Sequence, residues 1–330
     1  MIKLSPLFKD GVPGFVSHRF VYEIDQHLAG DRRFNSFIDT YSSAAKWILV
    51  SDYCLGDKSK PNDCVCFTLI PRVSEPDALL DGIAAIAPGD VKSTRSANER
   101  FISLINSYPM FTIGLVLDRK RRVATDERSY FYSRIESMLK QLDVWDETTP
   151  EGRPFNAQYR AKLLRLKAKL ATKSVNMKLV RDTEIISTLA GYLASAVTNP
   201  STEIVGWFSD RDSILSHMTE ANEHALAFDF AHSFHHIVCI GRDLDPSGIM
   251  AFGIPEKSGH MWYDALVRVP DLIGGALADY NFKTNQLSHQ KFVPVVKKIL
   301  TNTSKTIFYN LSILADGCNL KEIRFHNSPP

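Results

Sequence analysis

Short apolar runs separated by turn-forming residues recur along the chain, and they predict strands. The runs are WILVS (47–51), CVCFTLI (64–70), MFTIGLVLD (110–118), EIVGWFSD (203–210), HIVCIGRD (236–243) and IMAFGI (249–254). They are rich in residues that favour strands, and GDKSKPND between the first two supplies the chemistry of a turn. The third and fourth runs are apolar at consecutive positions, which is typical of interior strands covered on both faces.

Segments with apolar residues at helical spacing lie between these strands. The predicted helices are 77–87, 96–106, 127–142, 182–197, 213–227 and 269–282. Ser96, Asp182 and Asp212 are expected as N-caps, and Pro270 is expected in the first turn of its helix. Because strands and helices alternate along the chain, we expect an α/β layer architecture.

Residues 158–181 form a strongly basic segment in a nearly balanced chain. The segment holds eight Lys or Arg residues and no Asp or Glu, whereas the net charge of the whole chain is only +2. Tyr159, Leu163, Leu166 and Leu170 fall at helical spacing, so one side of this helix is expected to pack inward. Its cations are either a solvated helix face or a phosphate-binding surface. The candidate nucleic-acid contacts are Arg160, Lys162, Arg165, Lys167, Lys169 and Lys173.

The overall composition is that of an ordinary globular protein, with 44% apolar and 23% charged residues. The five cysteines are too few and too irregularly spaced for a disulfide framework, and Cys64-Val-Cys66 lacks the second pair of a closed zinc site. No apolar run has the length of a signal-peptide core or of a membrane span. We therefore expect a cytoplasmic protein without a membrane partner.

Asp52 directly follows the predicted strand WILVS, and Asp210 is the last residue of the predicted strand EIVGWFSD. Ligands gather at strand ends in α/β sheets, and neighbouring carboxylates repel each other unless a cation lies between them. Oxygen ligands of this kind suit Mg²⁺ or Mn²⁺. Asp212 projects to the same side of an extended backbone as Asp210, so both could reach one ion.

Each of these aspartates has an ordinary structural alternative, since aspartate after a strand often begins a turn or caps a helix. The Asp-x-Asp sequence of residues 210–212 also allows a second enzymatic interpretation. In a nucleotide-sugar transferase, Asp210 and Asp212 would hold a metal–diphosphate. That interpretation leaves Asp52 and Asp271 without a role.

Asp271 is the third candidate carboxylate. On its predicted helix it shares a stripe of small residues with Gly275 and Ala278, which allows that face to approach a sheet closely. We expect Asp271 to be held against the edge of the sheet. The alternative is that it complements the helix dipole in the first turn.

Two further groups have weaker claims to chemistry. His232, His235 and His236 have a spacing that could suit zinc on a helix, although histidines flanked by aromatic residues are usually part of the core edge. Cys54 lies close to Asp52 and is a candidate nucleophile, but the sequence identifies no partner histidine for it.

The order of these elements resembles the ribonuclease H-like superfamily. The chain is more closely similar to a widespread, largely uncharacterised bacterial family, whose first strand ends in Asp-Glu-Ser-Gly and whose last helix reads roughly Leu-Gln-Leu-Ala-Asp-Leu-Ile-Ala-Gly. The segment RVPDLIGGAL matches the closing motif at Asp271, Leu272, Ile273 and Gly275. The segment ILVSDYCLG matches the opening motif at Asp52 and Gly56, and Tyr53 stands in the place of the glutamate.

The resemblance covers about residues 45–282 and implies a ribonuclease H-like mixed sheet flanked by helices, with the first and fourth strands adjacent. A basic helical insert occupies about residues 125–200. Residues 1–44 and 283–330 are N-terminal and C-terminal extensions.

The resemblance also implies an activity, the hydrolysis of phosphodiester bonds by in-line attack of water at two divalent metal ions. Asp52 would bridge the metals, and Asp210 or Asp212 together with Asp271 would complete the shell. We therefore expect a Mg²⁺- or Mn²⁺-dependent nuclease acting on DNA or RNA, in the setting of a mobile element or phage defence. Because Tyr53 replaces the glutamate, the alternative is a nucleic-acid-binding or interaction protein with a decayed site. A protein partner or a second copy of the chain is left open.

Overall fold

The computed structural model describes residues 18–73, 76–87, 89, 96–172, 174–218, 220, 223–256 and 259–326. The helices are α1 Arg19–Gly30, α2 Arg32–Thr40, α3 Pro76–Ile86, α4 Glu99–Ser107, α5 Glu127–Thr148, α6 Arg153–Thr172, α7 Met177–Val197, α8 Ser213–Ser216, α9 Leu226–Ile240, α10 Asp264–Asp279 and α11 Val293–Val295. The strands are β1 Lys46–Cys54, β2 Asp63–Pro71, β3 Phe111–Leu117, β4 Ile204–Ser209, β5 Met250–Phe252, β6 Tyr280–Asn281, β7 Gln286–Leu287, β8 Thr306–Leu314 and β9 Gly317–Ile323.

Seven of these strands form one sheet in the order β5-β4-β1-β2-β3-β8-β9. The pairs β5–β4, β4–β1 and β3–β8 are parallel, whereas β1–β2, β2–β3 and β8–β9 are antiparallel. The sheet is therefore mixed, and the expectation of an α/β architecture is confirmed. Strands β1 and β4 are neighbours, although about 150 residues of chain, roughly one domain's length, separate them.

The interior strands are buried because helices cover both faces of the sheet. Every residue of β2 and β3 is buried, as the apolar runs at 64–70 and 110–118 predict. Side chains alternate between the two faces along β1. Leu49 packs with the core on the side of α1, α7 and α9, whereas Val50 packs with α3, α4 and α10. Asp52 follows Val50 by two residues and therefore projects to the side of α10.

In the helical insert, α5 and α6 share a core with residues of α7 and α9, and buried polar contacts join α5 to α7 and α7 to His18. Arg134 Nε donates to Glu184 Oε1 at 2.9 Å, and His18 Nε2 lies 3.0 Å from Glu184 Oε2. Burial raises the pKa of Glu184, but the Arg134 and His18 charges outweigh it and lower the pKa to about 2. Glu184 therefore stays charged and anchors the Arg134 guanidinium, whereas burial and the Arg134 charge lower the pKa of His18.

The predicted strand at 236–243 is wrong, because residues up to Ile240 belong to α9. Phe228, Ala231, Phe234 and Val238 recur at helical spacing and pack on the sheet, so tertiary burial selects the helix. The short strand at 249–254 is confirmed as β5.

Three predicted helix starts are also wrong. Asn98, not Ser96, caps α4 by accepting the Arg100 N–H at 2.9 Å. Asp182 lies inside α7, where Arg121 Nε donates to its Oδ1 at 2.7 Å, so a buried ion pair replaces the predicted cap. Helix α10 begins at Asp264, which leaves Pro270 in its interior and not in its first turn.

Both predicted extensions contribute to the same fold. Helices α1 and α2 pack on the sheet through apolar residues such as Phe20 and Phe34. Strand β8 continues the sheet beyond β3, from the Thr112–Thr306 pair to the Leu117–Leu311 pair. In the described part of the chain, no helix is both long and apolar enough to span a bilayer.

Candidate active site

Asp52 lies in β1 directly opposite Cys66 of β2, so their side chains project from the same face of the sheet. Helix α10 crosses this face with Gly274 above the two side chains. A Cβ added at Gly274 would lie 3.4 Å from Cys66 Sγ and 3.8 Å from Asp52 Oδ2. The glycine therefore allows the helix backbone to come close to the Asp52 carboxylate.

Asp271 lies three residues before Gly274, which puts both on one side of α10. The Cys66 thiol lies near both carboxylates. Burial raises its pKa well above the usual value, and the charges of Asp52 and Asp271 raise it further. Asp52 and Asp271 are both half-buried. The structure thus brings two of the predicted site residues together at the junction of β1, β2 and α10.

Asp210 follows the last residue of β4, Ser209, which pairs with Ser51 in the parallel register. Asp210 is thus the first residue after the last β1–β4 pair, as Asp52 is the first residue after Ser51 in β1. The Asp210 Oδ1 atom accepts the backbone N–H of Arg211 at 2.7 Å. Asp210 is therefore oriented by its own turn at the end of β4, the strand that pairs with β1.

Asp212 has a different role from Asp210. Its Oδ1 accepts the Ile214 N–H at 2.8 Å, so it caps the single turn of α8. The predicted alternative of a helix cap is confirmed, although the helix is four residues long and not the predicted fifteen.

Tyr53 projects to the opposite face of the sheet from Asp52 and lies outside the carboxylate group. Its hydroxyl hydrogen-bonds with Ser51 Oγ at 2.6 Å and accepts from Ser209 Oγ at 3.1 Å. Burial raises the pKa of Tyr53, so the phenol stays neutral. The residue in the place of the glutamate therefore joins β1 to β4 by hydrogen bonds.

The donor atoms define which metal ion the site could hold. Within the described residues, no group of three or more His, Cys, Asp and Glu side chains is arranged to hold a metal ion. The predicted shell of four aspartates is therefore not assembled by the protein alone, and His232, His235 and His236 do not form a zinc site. Magnesium is commonly bound through one or two carboxylates together with water and substrate phosphates. The Asp52–Asp271 pair fits that kind of ligand set.

Cys54 is poorly suited to act as a nucleophile. Burial raises the pKa of its thiol to about 11, and the negative charges of Asp57 and Asp52 add to the effect. Because the thiolate is the reactive form, a thiol with this pKa is inert near neutral pH.

The basic helix predicted at 158–181 is divided between α6 and α7. Lys162 of α6 is completely buried, and its Nζ lies 2.7 Å from the equally buried Asp229 Oδ2 of α9. The interpretation of Lys162 as a nucleic-acid contact is therefore wrong, because its charge serves an internal ion pair. Lys173 lies outside the described residues.

Other cations of α6 are also neutralised by carboxylates from neighbouring segments. Arg160 contacts Asp143 and Asp146 of α5 at 2.8 and 2.9 Å. The remaining pairs are Arg165 with Glu220 and Glu223, and Lys167 with Glu136. Lys169 is exposed. The segment 158–181 has no acidic residue and therefore predicts a basic surface. In the folded chain, carboxylates of neighbouring segments neutralise most of the cations of α6.

A second group of cations surrounds the connection between β1 and β2, residues 55–62, and we call it the cationic rim. Arg119 Nη2 donates to the backbone carbonyl of Asp57 at 2.8 Å and to that of Lys60. A Cβ added at Gly56 would lie 2.5 Å from Lys178 Nζ, and Gly56 has a φ of 75°. Lys58, Arg119 and Lys178 are exposed. The rim lies at the end of β1 that carries Asp52.

Several of these residues have only weak signals in the sequence. Cys66 and Gly274 define how closely α10 approaches Asp52, but in the sequence they look like ordinary core residues. Lys178 belongs to the basic segment that was assigned to one helix, and Arg119 belongs to the run DRKRR at 118–122. Only the folded chain brings these two cations to one connection.

Comparisons of the chain with protein-family models, curated protein sequences and solved structures found no match in any of the three.

Proposed function

We propose that the protein hydrolyses phosphodiester bonds of nucleic acid with Mg²⁺ or Mn²⁺ as cofactor. The observation that carries this proposal is that Asp52 and Asp271 both lie near the Cys66 thiol, where α10 crosses β1 and β2. Two half-buried carboxylates, one near the C-terminal end of β1 and one in α10, form a ligand set for a hard cation when a substrate phosphate supplies further oxygens.

The three aspartates would have different roles, which follow from their positions. Asp52 is held in an interior strand and Asp271 in a packed helix, so both carboxylates keep a fixed separation. Asp210, in the turn after β4, would orient the attacking water. A bound divalent cation would stabilise charge on the phosphate and lower the pKa of that water.

The strand order supports the ribonuclease H-like part of the proposal. Five strands run in the order β5-β4-β1-β2-β3, with β2 antiparallel to the others. Strands β1 and β4 are parallel neighbours, so Asp52 and Asp210 both lie at the C-terminal ends of these strands. This adjacency is what the resemblance implies for the first and fourth strands.

The cationic rim supports nucleic acid as the substrate. Exposed Lys and Arg side chains near a carboxylate site attract phosphates, and they offset the repulsion between the substrate and the aspartates. Lys58 and Lys178 would take the role that the sequence predicts for α6, whereas Arg119 also pairs with Asp63 at 3.4 Å.

The test is a cleavage assay on single- and double-stranded DNA and RNA with Mg²⁺ or Mn²⁺. We expect Asp52→Asn and Asp271→Asn each to reduce the rate by at least about 100-fold, because each removes charge from the reacting centre. The matched control is Asp39→Asn, which should cleave like the wild type. Asp39 is an exposed residue of α2, and α2 contacts β1 through Phe37 and Trp47, near the end of β1 opposite to Asp52.

Cleavage at the wild-type rate in both site variants would exclude the proposed site. A second candidate function, nucleic-acid binding without hydrolysis, is favoured by the limited number of described carboxylates around Asp52. It predicts salt-sensitive binding that persists in EDTA, with no cleavage of any of the four substrates.

A further inference from the structure

An exposed tryptophan lies on the opposite side of the candidate site from the cationic rim. Trp262 is 59% exposed and occupies the turn that leads into α10. The turn is fixed at both ends, since the Met261 N–H donates to Asp264 Oδ2 at 2.9 Å and the Asp264 N–H donates to the Met261 carbonyl at 3.0 Å. A large apolar ring is thus held in solvent by an ordered turn.

The ring of Trp262 is supported by two other aromatic rings. It makes T-shaped contacts with Phe208 at 4.9 Å and with Tyr263 at 5.5 Å. Phe208 is itself confined, because a Cβ at Gly253 would overlap its ring and a Cβ at Gly206 would lie 2.6 Å from it. Within the described residues, no aromatic ring is stacked on Trp262.

Trp262 lies two residues before the start of α10, the helix that carries Asp271. Phe208, its neighbour, precedes Asp210 by two residues in β4. Along α10, Asp271 follows Tyr263 by eight residues, which corresponds to about 12 Å of helix at 1.5 Å per residue. Burial is the main cause that raises the pKa of Tyr263 to about 12. The charge of Asp210 also raises this pKa, and the charge of Arg211 lowers it. The ring is therefore close to the end of β4.

We propose that Trp262 is a stacking platform for an unpaired base, so that the strand bound at the Asp52–Asp271 site is single-stranded next to the cleaved bond. This inference rests on the proposed function and adds the class of substrate to it. Bases stack on exposed aromatic rings without regard to sequence, but a paired base inside a duplex does not offer its face. The strand would run from Trp262 across the carboxylates to the cationic rim.

The test measures intrinsic tryptophan fluorescence, which reports directly on the ring of Trp262. Of the four tryptophans, Trp47 and Trp207 are buried and Trp145 is half-buried, so Trp262 is the most exposed. The full chain is titrated in EDTA with short oligo(dT), with oligo(U) and with a mixed-sequence duplex. We expect the two single strands to quench the fluorescence of the wild type and of the control Trp145→Phe.

Trp262→Ala should abolish this quenching and weaken single-strand binding by about 5-fold to about 150-fold, which corresponds to the usual range for one stacked base. Trp262→Phe should recover part of the affinity, whereas binding of the duplex should change little in either variant. Equal single-strand affinity in Trp262→Ala and wild type overturns the inference, as does a wild type that binds neither oligonucleotide. The cleavage test with Asp52→Asn has a separate readout, so failure of the stacking inference and failure of the proposed function are distinguishable.

Discussion

The buried pair of Lys162 and Asp229 offers a sharp test of how the basic helix α6 is used. Both side chains are 0% exposed and their charged atoms are 2.7 Å apart. Asp229 also lies 2.6 Å from His224 Nε2 through its other carboxylate oxygen. Replacement of Lys162 by methionine keeps the apolar stem but removes the charge that neutralises Asp229.

Removal of one partner from a buried pair costs about 3 to 5 kcal/mol, because the other charge is left in a medium of low polarity. For 330 residues the entropy of unfolding is about 0.7 kcal/mol/K, so Lys162→Met should lower the melting temperature by about 4 to 7 °C. The melting temperature is measured by circular dichroism at neutral pH.

The control is Lys169→Met on the same helix, where the side chain is exposed and the expected change is within about 0.5 kcal/mol. The double variant Lys162→Met/Asp229→Asn should be more stable than Lys162→Met, because no unpaired charge remains buried. If Lys162→Met melts like the control and instead loses affinity for nucleic acid, Lys162 is a surface contact and the reasoning is refuted.

Three further predictions concern packing, acid stability and metal binding. Gly191→Ala should lower the free energy of unfolding in urea by about 1 to 3 kcal/mol, because the new Cβ would lie 2.5 Å from the Ala231 carbonyl oxygen of α9. The control Gly82→Ala, whose Cβ would have nothing within 4 Å, should leave the free energy of unfolding unchanged or raise it. An equal loss of stability in both variants would contradict this account. Burial, with smaller contributions from neighbouring histidines, lowers the pKa of His235 to about 3, so only the unfolded state binds its proton below about pH 6.5. The contribution of His235 to the free energy of unfolding should therefore be full above about pH 6.5 and fall by about 2 to 3 kcal/mol by about pH 4.5, in addition to the contributions of the other buried histidines. His235→Gln should show a shallower slope of the free energy of unfolding against pH, and identical slopes would refute the assignment. Mg²⁺ at about 100 times its dissociation constant should raise the melting temperature by about 4 °C in the wild type but not in Asp52→Asn, and an equal rise in both would place the ion elsewhere.

Local sequence patterns were enough to predict the strands whose residues are mostly buried. The apolar runs predicted β1, β2, β3, β4 and β5, because an interior strand needs apolar side chains on both faces. The same runs identified Asp52 and Asp210, since a carboxylate stands out at the end of an apolar segment. The strand predicted at 236–243 failed because helical and strand patterns are ambiguous in short apolar runs, and packing on the sheet selected α9.

The tertiary structure alone decided which charges are available to a ligand. The sequence 158–181 contains no acid, yet Lys162 finds Asp229 and Lys167 finds Glu136 across a helical interface. Ion pairs of this kind join residues that are distant in sequence, so no local pattern reveals them. The sequence by itself supplied candidate carboxylates and cations, and only the packing of α10 on β1 and β2 brought Asp52 and Asp271 to one thiol. Side-chain chemistry is local, but the desolvation and pairing that determine its use depend on contacts between distant segments.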